Sequence, residues 1–218
     1  LVGIKGPLLP ARVLHILDQV CGSLAEAHGK GLIHRDVKPA NIMLCERGGV
    51  HDVVKVLDFG LVKDVTKAGS DDLSRGIHIG GTPLYMAPER VTSPNRIDAR
   101  VDIYSLGCVA YYLLAGRPVF EPSNDGDLLD KIVNATPAPL ADVSEQVIPR
   151  ELEGLMMECL ARAPGDRPQS VFAVIERLED LTDLDPWTQK DASRWWRSVR
   201  VDGRDDESES PVPGTRRL

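Results

Sequence analysis

From Pro10 to about His28 the apolar residues Val13, Leu17, Val20 and Leu24 recur at helical spacing, with Leu14 and Cys21 beside them. A proline opens the pattern and Gly29 and Gly31 close it, which predicts a helix that starts and stops there. The period then changes. Short apolar runs at Leu32–His34, Ile42–Leu44 and Val53–Leu57, separated by the turn-rich "ERGGVHD", predict β pieces of hairpin size. Residues 64–82, "DVTKAGSDDLSRGIHIGGT", are polar, contain glycine and show no period, which predicts a long loop with a function of its own. From Asp98, "DARVDIYSLGCVAYYLLAG" is apolar nearly all round and predicts a core helix stopping at Gly116. Further helices are predicted over residues 126–134, 150–161 and 169–181, with proline-rich joints between them. After Pro186, "WTQKDASRWWRSV" predicts a short amphipathic helix that places Trp195, Trp196 and Val199 near Trp187, to dock on the body of the protein or, alternatively, to bind a separate partner. Residues 202–218 hold too little apolar surface to offset their ordering entropy, and disorder is expected there.

Composition narrows the partners. A chain of 218 residues, 42% hydrophobic and 27% charged, has room for a sizeable core without disulfide or metal staples. The formal charge of −7, with no dense Lys/Arg block before the closing "TRR", argues against a nucleic-acid surface. No run is long enough to span a bilayer, so no membrane contact is expected from this segment. Cys21, Cys45, Cys108 and Cys159 lack CxxC spacing and read as buried reduced thiols of a cytoplasmic protein. There is no secretory signal pattern and no initiator Met, so "LVGIKGPLLP" is expected to begin partway through a larger protein. A membrane anchor elsewhere in that protein stays open.

The chemistry concentrates in "LIHRDVKPANIML", residues 32–44. Asp36 lies five residues before Asn41, and "LDFG" at residues 57–60 supplies a second carboxylate on the next β piece. Phosphoryl transfer uses such a set. One carboxylate orients the attacking hydroxyl, another holds the metal bridging the phosphates, and a neutral oxygen completes the metal shell without excess charge. Lys38, two residues from Asp36, would offset negative charge developing on the transferred group.

Five stretches stand in order along the chain: "HRDVKPAN", "DFG", "GTPLYMAPE", "DIYSLG" and "GDRP". Together they resemble the catalytic loop, metal-binding motif, activation-segment end, buried helix and final turn of eukaryotic-type (Hanks-type) serine/threonine protein kinases, in bacterial wording. The resemblance covers residues 1–181 and implies the large, mainly α lobe of that fold with short β hairpins, without the β-rich small lobe. Residues 182–201 then form a Trp-containing extension and residues 202–218 the tail.

The resemblance implies an ATP- and Mg²⁺-dependent transferase acting on protein Ser/Thr hydroxyls. Asp36 is then the catalytic base or hydroxyl-orienting residue, Asn41 and Asp58 bind Mg²⁺, Lys38 contacts the moving phosphate, and Met43 floors the adenine pocket. His34 packs against Phe59, Asp102 ties down the catalytic loop, and Glu89 pairs with Arg167. Lys38 and Thr82 fit serine/threonine rather than tyrosine selectivity. Arg35 implies control by a phosphate on the loop, with Ser74 as the acceptor ahead of Thr66 and Ser70, and a kinase–kinase dimer for autophosphorylation.

The glycine-rich loop, the strand lysine and the helix glutamate of such kinases have no counterpart in these residues. Weak or no activity is therefore expected of the 218 residues alone. The competing reading is a truncated, non-catalytic interaction module that binds partners through the activation segment and the surface near residues 123–140. A nucleotide hydrolase of another fold is a poor third reading, since there is no GxxxxGK[ST] loop.

Overall fold

Helix α1 (Pro10–Gly29) starts with proline at its first position, where no N–H is missed, and buries the stripe Val13, Ile16, Leu17, Val20, Cys21 and Leu24. The computed structural model describes residues 2, 6–58, 83–122, 125–202 and 215–217. A 3₁₀ turn at Pro39–Asn41 leads into the antiparallel hairpin β1 (Ile42–Arg47) and β2 (Val50–Val56). Arg47 faces Val50, so Gly48 (φ 57°) and Gly49 (φ 79°) alone make the turn, both left-handed as a two-residue hairpin requires. The strands therefore reach further into "ERGGVHD" than the apolar runs predict. Leu32–His34 is not a strand; the N–H of His34 is donated instead to Asp102.

Among the described residues the α-helices that follow are α2 (Glu89–Thr92), α3 (Arg100–Ala115), α4 (Asp125–Asn134), α5 (Leu140–Val143), α6 (Arg150–Cys159) and α7 (Val171–Glu179). Every residue of α3 except Arg100, Tyr112 and Ala115 is buried, as its apolar circumference demands, and α1 and α6 pack against it. At the α3–α6 crossing a Cβ on Gly107 would stand 2.9 Å from Cβ of Cys159, so only glycine permits this approach. Gly116 (φ 75°) ends α3 in the left-handed conformation, and the Ser170 hydroxyl caps α7 by accepting the Ala173 N–H at 3.1 Å. All four cysteines are free and buried; burial pushes the Cys159 thiol up to about 12 and raises Cys21 and Cys108 as well.

Glu89, at the start of α2, and Arg167, before α7, form a buried bidentate pair at 2.6 and 2.8 Å. The remaining guanidinium N–H groups donate to the carbonyls of Ala161, Arg100 and Arg162, and the cation lies 4.9 Å from the Tyr104 ring centroid. All five donors of Arg167 are thus satisfied, the condition under which a buried ion pair is tolerated.

The tail does not trail away. Helix α8 (Gln189–Asp202) packs on β2, with Ala192, Trp196 and Val199 buried. Strand β3 (Thr215–Arg217) pairs antiparallel with the outer edge of β1, giving the sheet order β2-β1-β3. This strand lies inside the stretch whose composition predicts disorder. Composition gauges side-chain burial, whereas an open sheet edge offers backbone hydrogen bonds that three residues can take up. Among the described residues no helix is long and apolar enough to cross a membrane.

Asp52 on β2 is wholly buried, left-handed (φ 56°), and bound by Arg12 of α1 through two bonds of 2.8 Å. Burial pushes its carboxyl up, but Arg12 and the indole N–H groups of Trp196 and Trp187 outweigh that and leave it below the ordinary carboxyl value. A lowered folded value means stability that is complete above the unfolded carboxyl range near about pH 4 and is lost as pH falls through the folded value. Urea-unfolding stability measured from neutral pH downward should therefore drop more below about pH 4 in the wild type than in Asp52→Asn. Parallel curves for the two proteins would show that Asp52 carries no such linkage.

Candidate active site

The loop from His34 to Asn41 is held from below by α3. Asp102, fully buried, accepts the N–H of His34 at 2.8 Å and the N–H of Arg35 at 2.7 Å, and contacts the His28 ring Nε2 at 2.8 Å. Three partners balance a carboxylate that would otherwise be costly in an apolar helix. Arg35 is held at φ 65°, a conformation that a non-glycine residue keeps only where its surroundings impose it. Asp102 grips its N–H, and Nη1 of Arg90 donates to its carbonyl at 2.5 Å.

His34 links this loop to the hairpin. The N–H of Asp36 donates to its Nδ1 at 3.3 Å, which assigns the ring proton to Nε2, and Nε2 donates to the Leu57 carbonyl at 2.9 Å. The N–H of Leu57 donates in turn to the Asn41 carbonyl at 2.8 Å, one step beyond the Ile42–Val56 pair of the ladder. Leu57 is thereby fixed at both backbone polar groups. Asn41 and Asp58 leave the same end of the hairpin, Asp58 exposed and left-handed at φ 63°.

Nδ2 of Asn41 donates to the Asp36 backbone carbonyl at 2.8 Å and to the Asp36 carboxylate at 3.0 Å, which leaves Oδ1 as the acceptor of that amide. Nζ of Lys38 lies 2.8 Å from the Asp36 carboxylate, each side chain being about one third exposed at 33% and 34%. Both contacts fall on Oδ2 of Asp36, and the carboxylate still reaches solvent. Among the described residues no group of three or more His, Cys, Asp or Glu comes together. A metal here would rest on the Asn41 amide oxygen and the Asp58 carboxylate, and that hard, sparse oxygen pair fits Mg²⁺ completed by phosphate and water.

Met43 is half-buried on β1, opposite Lys55. Nε of Arg35 is buried and has no hydrogen-bond partner among the described residues. Phe59, Ser74 and Thr82, with Thr66 and Ser70, lie outside the described residues. Sequence reading overlooked His28, Arg90, Arg12 and Asp52. His28 continues the buried stripe four residues beyond Leu24, and Arg12 precedes Ile16 by four on the buried side, so a polar residue at a core position was the signal for both. Arg90 and Asp52 carry no comparable signal.

Residues 4–177 match the protein kinase domain family, and the chain belongs to it. Serine/threonine-protein kinase Pkn1 of Myxococcus xanthus is 40% identical over 175 residues, covering 79% of this chain and 24% of the relative. Serine/threonine-protein kinase pkn3 of the same species is 38% identical over 176 residues, covering 79% and 32%. Serine/threonine-protein kinase PknB of Mycolicibacterium smegmatis is 35% identical over 170 residues, covering 78% and 26%. The chain therefore spans about a quarter to a third of these curated relatives, and it is of the Hanks type in its bacterial form. Among the described residues the helical body and its β1–β2 hairpin correspond to the large lobe of that fold, and no β-rich small lobe is seen.

Asp102→Asn tests the grip on the loop. An amide presents an oxygen to one of the two backbone N–H groups and an NH₂ to the other, leaving a buried donor unpaired at about 1–3 kcal/mol. Urea unfolding should show that loss, whereas unchanged stability would mean that the loop does not depend on the carboxylate.

Proposed function

We propose that the chain is the catalytic large lobe of an ATP-dependent serine/threonine protein kinase. The observation that carries this reading is the closed circuit Asp36–Asn41–Leu57–His34, which gathers a reactive carboxylate and two metal-ligand candidates at one end of the hairpin. ATP with Mg²⁺ supplies the phosphoryl group and the charge that screens it. Asp36, oriented by Asn41 and Lys38, takes a hydrogen bond from the attacking Ser/Thr hydroxyl and receives its proton. Lys38 faces the phosphate in transit, Asn41 Oδ1 and Asp58 hold the metal, and Met43 underlies the adenine. The names of the relatives support protein serines and threonines as acceptors.

The unpartnered Arg35 Nε supports control by a loop phosphate, for which Ser74 is the proposed acceptor, placed by a second kinase molecule in a dimer. Half of the positioning apparatus belongs to a small lobe, so the 218 residues alone should transfer phosphate weakly or not at all.

In a kinase that joins this lobe to a glycine-rich small lobe, transfer from Mg-ATP to a Ser/Thr peptide should fall about 10²–10⁴-fold in kcat on Asp36→Asn, with KM little changed. Transfer that is absent from the complete protein, or equal in the variant, would contradict the proposal and favour a non-catalytic binding module.

A further inference from the structure

Among the described residues the outer edge of β2 has no neighbouring strand, yet backbone groups there are taken up by side-chain amides. Gln19 of α1 donates through Nε2 to the Asp52 carbonyl at 3.0 Å and accepts the Val54 N–H through Oε1 at 3.1 Å. Gln189 of α8 takes up both backbone groups of His51, accepting its N–H at 2.9 Å and donating to its carbonyl at 3.1 Å. Two glutamine side chains stand in for a missing strand, one from the body and one from the tail.

Between them sits the Asp52 carboxylate. Arg12 Nε and Nη2 bind its two oxygens, and Nε1 of Trp187 (2.9 Å) and of Trp196 (2.7 Å) donate to the same two oxygens. The Arg12 guanidinium lies 3.7 Å from the Trp195 ring centroid and 5.3 Å from that of Trp187. Trp196 also meets the His51 ring at 5.8 Å. All three tryptophans of the chain thus converge on one ion pair. A surface that merely covers apolar side chains would not aim two indole donors at one buried carboxylate.

The position of this cluster gives it a further consequence. Asp52 lies six residues before Asp58 on the same strand path, roughly 20 Å of extended chain, and the hairpin between them has Asn41 and Asp58 at its far end. We propose that α8 and the Trp187 that precedes it form a latch: Trp187, Trp196 and Gln189 hold the β1–β2 hairpin and thereby position the metal ligands Asn41 and Asp58. The inference rests on the kinase reading only in calling those two residues metal ligands. Trp187, Trp196 and Gln189 are positioning residues and touch no reacting atom.

The test is amide hydrogen exchange on the full chain, wild type against Trp187→Phe/Trp196→Phe, with Gln189→Ala as a milder variant should the double substitution impair folding. Amides of residues 42–46 and 53–57 should exchange at least about tenfold faster, while those of α3 keep their rates. In the complete kinase the same variants should raise the Mg²⁺ concentration needed for half-maximal transfer and leave the saturated rate unchanged. Unchanged hairpin exchange, or acceleration equal to that of α3, would overturn the latch. A loosened hairpin with an unshifted Mg²⁺ requirement would overturn the positioning role. Exchange is read without any transfer, so failure of the latch is distinguishable from failure of the kinase reading.

Discussion

A carboxylate buried in an apolar helix must find hydrogen-bond donors or neutralise itself, and Asp102 of α3 finds them in the backbone of His34 and Arg35. Its requirement fixes the path of the chain outside the helix. Because both N–H groups point back at α3, Leu32–His34 gives up strand pairing, Arg35 is turned left-handed, and Asp36 emerges beside Asn41. The helix is packed closely on two sides, since Gly107 lets α6 approach to within contact and Arg167 ties α2 to the same body. The most deeply buried helix of the lobe therefore anchors the loop that carries Asp36 and Asn41, and the proposed transfer would depend on such positioning.

The hairpin is the second lever. It is held at one end by His34 and Asn41 acting on Leu57, and along its open edge by Gln19, Gln189 and the Asp52 cluster. β3 lies on the opposite edge, so the sheet is bounded on both sides by groups from distant parts of the chain. A two-stranded hairpin is marginal by itself in water, and these supports explain why this one holds its ends in place.

What the sequence makes legible follows from periodicity and local chemistry. α1, α3 and the glycine stops could be read because apolar spacing and left-handed glycines are local signals. Asp36, Asn41 and Asp58 stand out as candidates because phosphoryl transfer uses those groups at that spacing. The hairpin turn at Gly48–Gly49 was visible as a glycine pair, but the strands extend through polar residues that apolar runs do not mark. Arg12 and Asp52, 40 residues apart, form a pair that no local pattern announces, and the three tryptophans could be seen to cluster without showing what they grip. Leu32–His34 was misread because its apolar residues suit a strand while its N–H groups answer to Asp102, a tertiary demand that outweighs propensity.

The central claim is that Asp102 ties the loop from His34 to Asn41 to the core. The most direct measurement is native-state hydrogen exchange at the amides of His34 and Arg35. They should be as protected as the amides of α3, opening only with global unfolding. Exchange at the rate of an exposed loop would contradict the account.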